Sequence, residues 1–458
     1  MRKQKDRPNI ILMNCDDLGY GDIGCYGSRM NRTPHLDRIG EEGVIFTDFY
    51  MAAPICSPSR GAMMTGCYPR RIGFDLFDGK GVLFPGQGCG LNPEEKTVAS
   101  ILKEQGYATK LVGKWHCGDQ PEFLPTRHGF DSYYGLPYSN DMGVQKGLEH
   151  LKNPPLPLLR DEEVIQQQPD QSSLTERYVE ESLRFIRKNK DRPFFLYFAH
   201  MYVHLPIFVP SNFLAASQNG PYGGAVEHVD WSAGMLMHEL NRLGIDKNTL
   251  FVFTSDNGSK AENGGSNDPL RGTKGTTWEG GMRLPCIMRW PGVIAPGQKN
   301  SELVTSMDFL PTFAAAAGGD APDDRIIDGK NIMDLMRGDQ GVSSPHSVFF
   351  FYSRDCLEAV RSGSWKLFVS RNRESVLELY NLEDDIGETT DVSDANPEKV
   401  KELLGLCDRI RADIGDGVTG TSGENRRPLG RVSDPKTLTE YDPEHPYMVA
   451  MYDTEACG

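Results

Sequence analysis

The 458-residue chain lacks a long hydrophobic run, a paired-cysteine motif and an excess of positive charge. No stretch reaches the roughly 18 apolar residues of a membrane span, so no membrane partner is expected. The start, Met1 to Arg7, is charged and leads straight into Asn9-Ile10-Ile11-Leu12-Met13. Without the apolar core and cleavage site of a secretory leader, the chain as given is expected to be cytoplasmic, and secreted or periplasmic only if trimmed. The ten cysteines, at 15, 25, 56, 67, 89, 117, 286, 356, 407 and 457, never form Cys-x-x-Cys. That spacing gives no support to a zinc ribbon or a thioredoxin motif and fits scattered, reduced thiols. A formal net charge of −15 repels polyanions at long range, which argues against nucleic acid as a partner. Internal repeats and low-complexity tracts are also missing.

What is present is ordinary globular composition, 38% hydrophobic and 25% charged. The length suits one large domain plus a smaller one. Apolar runs at 9–14, 44–50, 108–113, 194–198 and 250–254 predict buried strands. Helical spacing is found at 34–43, 97–105, 174–189 and 225–243. Short apolar strands alternating with helices predict an α/β fold, a large mixed, mostly parallel sheet sandwiched by helices. Such sheets place their sites beyond the carboxyl ends of the strands. Asp16, Asp17, Lys114, His116, His200, His204, Asp256 and Asn257 all follow a predicted strand. Beyond about residue 340, short strands at 348–352, 358–361, 365–369 and 377–380 precede a helix at 397–413. This predicts a catalytic domain over 1–340. A C-terminal subdomain over 341–458 would comprise a small antiparallel sheet, a packed helix and a wrapping tail.

In the segment Pro54 to Gly66, Ser57-Pro58 fits a helix start and Gly66 a helix end. Cys56 would then lie at the positive end of the helix dipole, with Arg60 one turn along. The residues alone leave two readings open: an activated cysteine beside an anion clamp, or a buried cysteine near a surface arginine. Asp16, Asp17, Asp256 and Asn257 are hard oxygen donors, which favour Ca²⁺ or Mg²⁺ over Zn²⁺. Either pair alone reads as a turn; together, after two strands, they read as ligands. His200 and His204 are four apart, but no His-Glu-x-x-His motif accompanies them and Pro206 follows, so a zinc pair is not favoured.

Cys-Ser-Pro-Ser-Arg at 56–60, followed by Gly-Ala-Met-Met-Thr-Gly, resembles the signature of type I sulfatases. Four further blocks match in order: 14–22, Gly-Lys-Trp-His at 113–116, Thr-Ser-Asp-Asn-Gly at 254–258, and 271–283. The likeness runs over roughly residues 8–380 and is closest to the arylsulfatase A and galactosamine-6-sulfatase branches. It implies an alkaline-phosphatase-like fold, a Ca²⁺ ion at Asp16, Asp17, Asp256, Asn257 and residue 56, and conversion of Cys56 to formylglycine by a maturation enzyme. A hydrated aldehyde has two hydroxyls: one attacks sulfur, and the other then expels sulfate.

The resemblance further implies that Lys114 and Lys274 hold sulfate oxygens and that His204 protonates the leaving alcohol, with Lys274. It implies that His116 assists sulfate release and Arg60 orients the nucleophile. Trp278, Glu279 and Arg283 are expected to support the site. The stretch 134–146 resembles a loop at its mouth, where Asn140 and Asp141, with Asp355, are candidates to read the alcohol. The expected activity is hydrolysis of sulfate monoesters of a small sulfated sugar or an aryl alcohol. The alternatives are a phosphate or phosphonate monoester hydrolase of the same superfamily, or a non-catalytic sulfated-glycan binder. The net charge further predicts short substrates over long polymers.

Overall fold

The protein is described from a computed structural model covering residues 7–145, 152–339 and 341–447. In chain order the strands are β1 (Asn9–Cys15), β2 (Val44–Tyr50), β3 (Cys89–Gly90), β4 (Ala108–Gly113), β5 (Ser132–Gly135), β6 (Pro157–Arg160), β7 (Glu163–Gln167), β8 (Phe194–Ala199), β9 (Thr249–Ser255), β10 (Arg283–Arg289), β11 (Gln298–Asn300), β12 (Val304–Thr305), β13 (Phe349–Ser353), β14 (Cys356–Ser362), β15 (Trp365–Arg371), β16 (Glu374–Asn381) and β17 (Gly430–Arg431).

The large sheet runs β11-β2-β10-β9-β1-β8-β4-β5-β6-β7, with β12 alongside β2. Its centre, β9-β1-β8-β4, is parallel. These central strands are buried along their whole length, so alternate residues feed two different cores. Ile10, Leu12, Phe195 and Tyr197 face the helices Cys56–Thr65, Val98–Glu104 and Phe309–Ala316. Ile11, Met13, Phe194 and Leu196 face Pro34–Glu41, Leu174–Asn189 and Gly220–Arg242. Each such side chain contributes about 1.5–3 kcal/mol by leaving water.

The strands that make this sheet mixed lie to either side of its parallel centre. β10 is antiparallel to both β2 and β9, and β5-β6-β7 form an antiparallel margin. β7 reads Glu-Val-Ile-Gln-Gln and is largely half-exposed, so it carries no apolar run to announce it.

The second sheet is antiparallel, β13-β14-β15-β16, and the helix Pro397–Ile414 packs on it. After this helix the chain runs back over the large domain. β17 pairs with β3, Arg427 pairs with Glu95 at 2.7 Å, and Lys436 N–H donates to Gln120. Residues 448–458, which include Cys457, lie outside the described residues, as does Lys146 at the end of the expected mouth loop.

Buried charge joins the two sheets. Lys366 of β15 lies 2.9 Å from Glu279 and 2.8 Å from Glu388, and all three are fully buried. Arg361 of β14 reaches Asp48 of β2 at 2.8 Å, and also donates to the Tyr50 hydroxyl.

Candidate active site

Four parallel strands end side by side, and the chain following each delivers a charged or polar group to one place. β1 is followed by Asp16 and Asp17, β4 by Lys114 and His116, β8 by His200 and His204, and β9 by Asp256 and Asn257. Gly113 makes one of these approaches feasible. Its φ is +112°, and a Cβ there would stand 1.8 Å from the Ala199 carbonyl oxygen.

The helix Cys56–Thr65 points its first turn into the same place. It starts at Cys56 itself, with extended Ile55 before it and left-handed Gly66 after it. Ser57 is therefore inside the first turn and not the cap. Its hydroxyl accepts from Leu83 N–H instead, at 3.1 Å. The first-turn proline fits because its missing N–H is one that no helix carbonyl would satisfy.

The geometry is that of interleaved charges. Asp16 meets Lys114 Nζ at 2.5 Å, and Asp17 meets Lys274 Nζ at 2.9 Å. Arg60 Nε donates to Asp256 at 2.8 Å, and its NH1 to the Lys114 carbonyl at 2.9 Å. Lys274 is held on a loop whose next residue, Gly275, donates its N–H to the Pro54 carbonyl. Ser139 lies between Lys114 Nζ (3.2 Å) and His204 Nε2 (3.3 Å).

Burial works against ionising Asp16, but Lys114 and then Arg60 outweigh it and hold the carboxyl well below its usual range. Asp256 goes the other way, pushed up to about 7 by burial and by Asp16. Burial also pushes the Cys56 thiol well up, despite the opposing pull of Lys114 and Lys274. Of the two readings of this segment, an activated cysteine beside an anion clamp or a buried one near a surface arginine, neither holds whole: Cys56 is buried, and so is Arg60.

Two histidines complete the cluster. His116 Nε2 lies 3.0 Å from the Leu83 carbonyl, which only accepts, so Nε2 carries the proton. Its Nδ1 is then a buried acceptor without a hydrogen-bond partner among the described residues. Burial, helped by Lys114, holds its pKa well below the ordinary histidine value, so the ring is neutral. His204 Nδ1 lies 2.5 Å from the Leu205 carbonyl, and its Nε2 faces Asp17 at 3.9 Å. His200 is apart from the cluster. Its ring accepts from Tyr202 N–H and meets the Thr175 hydroxyl, so its role is internal packing.

The oxygen donors fit a hard divalent cation. One ligand atom from each of Asp16, Asp17, Cys56 and Asp256 lies within 4.8 Å of all the others. Asn257 Oδ1 is buried with no hydrogen-bond partner among the described residues, the condition of a group that lacks its cation.

The substrate-reading candidates are placed differently. Asn140 donates to Gln171 and to the Pro206 carbonyl, which fixes the loop after His204. Asp141 is half-buried on the same loop. Asp355 sits at the β13–β14 turn and is neutralised by Arg373 at 2.5 Å. Trp278 is sandwiched by Arg271 and Arg371, and Glu279 and Arg283 belong to the buried charge that ties the sheets. Ser139 and the Leu83 carbonyl were missed. The first is one serine in a polar loop, and the second is main chain and leaves no mark in a sequence.

The family model described as "Sulfatase" matches residues 8–319, and "N-sulphoglucosamine sulphohydrolase, C-terminal" matches 273–410. Mouse (Mus musculus) steryl-sulfatase is 38% identical over 440 residues, covering 79% of this chain and 70% of that protein. Human (Homo sapiens) arylsulfatase A is 41% identical over 382 residues, covering 78% and 74%. The crystal structure of Ps i-CgsB in complex with k-i-k-neocarrahexaose superposes with a TM-score of 0.80 at 32% identity, covering 91% of this chain and 95% of that one.

Proposed function

We propose, for a chain that belongs to the sulfatase family and is a sulfuric ester hydrolase, that hydrolysis runs through a formylglycine made from Cys56. A Ca²⁺ ion, or Mg²⁺ in its place, would be held by Asp16, Asp17, Asp256 and Asn257. The substrate is a small sulfated sugar or an aryl sulfate. The observation that supports this best is the convergence of three carboxylates and Cys56 within 4.8 Å, flanked by Lys114 and Lys274.

The cation, when bound, would supply positive charge beside the nucleophile and the ester. A hydrated aldehyde at residue 56 would supply one hydroxyl to attack sulfur and a second whose deprotonation would release sulfate. The remaining work falls to this chain's side chains. Lys114 and Lys274 each spend their charge on a site carboxylate here. Were those carboxylates neutralised by a cation, both ammonium groups would be free to meet the sulfate oxygens. His116 Nδ1, an acceptor without a partner among the described residues, would take the proton from the second hydroxyl.

His204 Nε2 is the group for the leaving alcohol. Burial and then Lys274 hold its pKa down. An anionic ester entering beside Lys274 offsets that repulsion and lets the ring carry the proton it must donate. Arg60 fixes Asp256 and stands 3.6 Å from Asp16, so it holds two of the oxygen donors in place.

The test is sulfate release by protein co-expressed with a formylglycine-generating enzyme, assayed with and without a chelator. Phosphate and phosphonate monoesters serve as competing substrates. Faster cleavage of those esters than of any sulfate ester would move the reaction to the alternative within the superfamily. Tight binding of sulfated sugar without turnover would favour a glycan-binding role.

A further inference from the structure

Two exposed cations lie on or against the segments that lead into the site and have no part in the chemistry above. The first is Lys80. The backbone groups of Phe77 and Lys80 are paired in both directions, at 2.8 and 3.0 Å, across the tight turn Asp78-Gly79. An Asp-Gly turn of this kind is stiff. Lys80 is thrown outward from it, and its ammonium rests 4.0 Å above the Phe84 ring. The same short loop then enters the catalytic cluster. Leu83 N–H reaches Ser57 beside the nucleophile, and the Leu83 carbonyl fixes His116.

The second is Arg354, on the turn between β13 and β14 of the small sheet. A Cβ placed on Gly81 would lie 3.1 Å from Arg354 Nε and 3.0 Å from Ile55 Cδ1. The guanidinium therefore lies across Gly81, beside the residue that precedes Cys56. Arg354 adopts φ +55°, a left-handed backbone that an L side chain rarely takes. Its neighbour Asp355 turns away to Arg373 and, through its carbonyl, to Gly417 N–H. Both Arg354 and Lys80 are exposed, and neither has an acidic partner among the described residues. In a chain of net charge −15, many of whose arginines are paired with acids, two cations without an acidic partner among the described residues flank one glycine, Lys80 preceding Gly81 in the chain and Arg354 packing across it, and form a local anion site.

We propose that Lys80 and Arg354 form a cationic rim that binds a second anionic group of the substrate, a sulfate or a carboxylate outside the pocket that holds the scissile sulfate. The substrate class is then a sugar carrying at least two anionic groups, and Arg354, not Asp355, is the small sheet's contribution to specificity. This rests on the sulfatase reading. The rim cations take no proton and hold no oxygen of the reacting group, so they set KM and leave kcat in place.

The experiment compares wild type with Arg354→Ala, Lys80→Ala and the double variant on three substrates. These are a small aryl sulfate, a disulfated disaccharide, and a monosulfated disaccharide carrying a uronate carboxylate. The double variant is expected to lower kcat/KM on one or both dianionic sugars by about tenfold, through KM, and to leave the aryl sulfate within about twofold. Which sugar responds tells sulfate from carboxylate. In parallel, dissociation constants for both sugars are measured by calorimetry in a Cys56→Ala background, where turnover is absent. A tenfold weakening there supports the rim even if wild type hydrolyses no sulfate ester, an outcome that would sink the sulfatase reading alone. Equal losses on all three substrates, or unchanged sugar binding in the double variant, would overturn the rim.

Discussion

Replacing Lys366 by methionine tests how the small sheet is fixed to the large one. The ammonium is fully buried, lies 2.9 Å from Glu279 and 2.8 Å from Glu388, and donates to the Thr277 carbonyl. Burial opposes ionising either acid. Lys366, with Arg283 and Arg361, nevertheless holds Glu279 at about 2, while Glu388 is pushed up to about 7. Methionine preserves much of the volume and removes the charge. The cluster must then hold an uncompensated carboxylate or take up one more proton. Protonating a carboxyl of ordinary pKa 4.5 at pH 7 costs about 3.4 kcal/mol, which bounds the loss and lies within the usual range for a broken buried pair.

The sign with pH follows from linkage. On folding, the variant takes up one proton more than the wild type does, so its deficit grows by about 1.4 kcal/mol per pH unit on going up. At pH 5 the deficit falls below about 1 kcal/mol. For a chain of 458 residues the unfolding entropy is about 1 kcal/mol/K. Melting is therefore expected to drop by about 3 °C at pH 7 and by under about 1 °C at pH 5. A drop that is equal at both values, or larger at pH 5, would refute the reasoning.

Three further outcomes are expected. A chelator should lower the melting temperature of the wild type, and added Ca²⁺ should restore it; Asn257→Ala should shift the Ca²⁺ midpoint up by about tenfold or more, read by calorimetry. Ser139→Ala removes the hydroxyl between Lys114 and His204 and should reduce kcat by about three- to tenfold with little change in folding, as circular dichroism would check. A sulfated disaccharide should be cleaved faster than its polymer, because the chain's net charge repels a long polyanion; a faster polymer rate at low salt would count against this.

The centre of the fold was legible because its strands carry short apolar runs, such as Ile-Ile-Leu-Met in β1, Phe-Phe-Leu-Tyr-Phe-Ala in β8 and Leu-Phe-Val-Phe in β9, and helices at 34–41 and 174–189 have clear amphipathic faces. Their carboxyl ends located Asp16, Lys114, His204 and Asp256 from pattern alone. The margin β5-β6-β7 was not legible, since β7 is polar and half-exposed and takes its strand form from a neighbour's hydrogen bonds. Residues 283–289 are apolar enough for a strand, but no local signal shows that β10 runs antiparallel. Within the site, sequence spacing does not say which lysine meets which aspartate, because those pairs join elements 98 and 257 residues apart. Nor does the sequence show that Arg354, beside Asp355 on one turn, packs against Gly81.

The central claim is that residue 56 acts as an aldehyde and not as a thiol. Mass spectrometry of the peptide containing Cys56, from protein co-expressed with a formylglycine-generating enzyme, tests it most directly. The account predicts a peptide about 18 Da lighter than the thiol form, in protein that releases sulfate from sulfate esters. An unmodified thiol, in protein that still hydrolyses those esters, would contradict it.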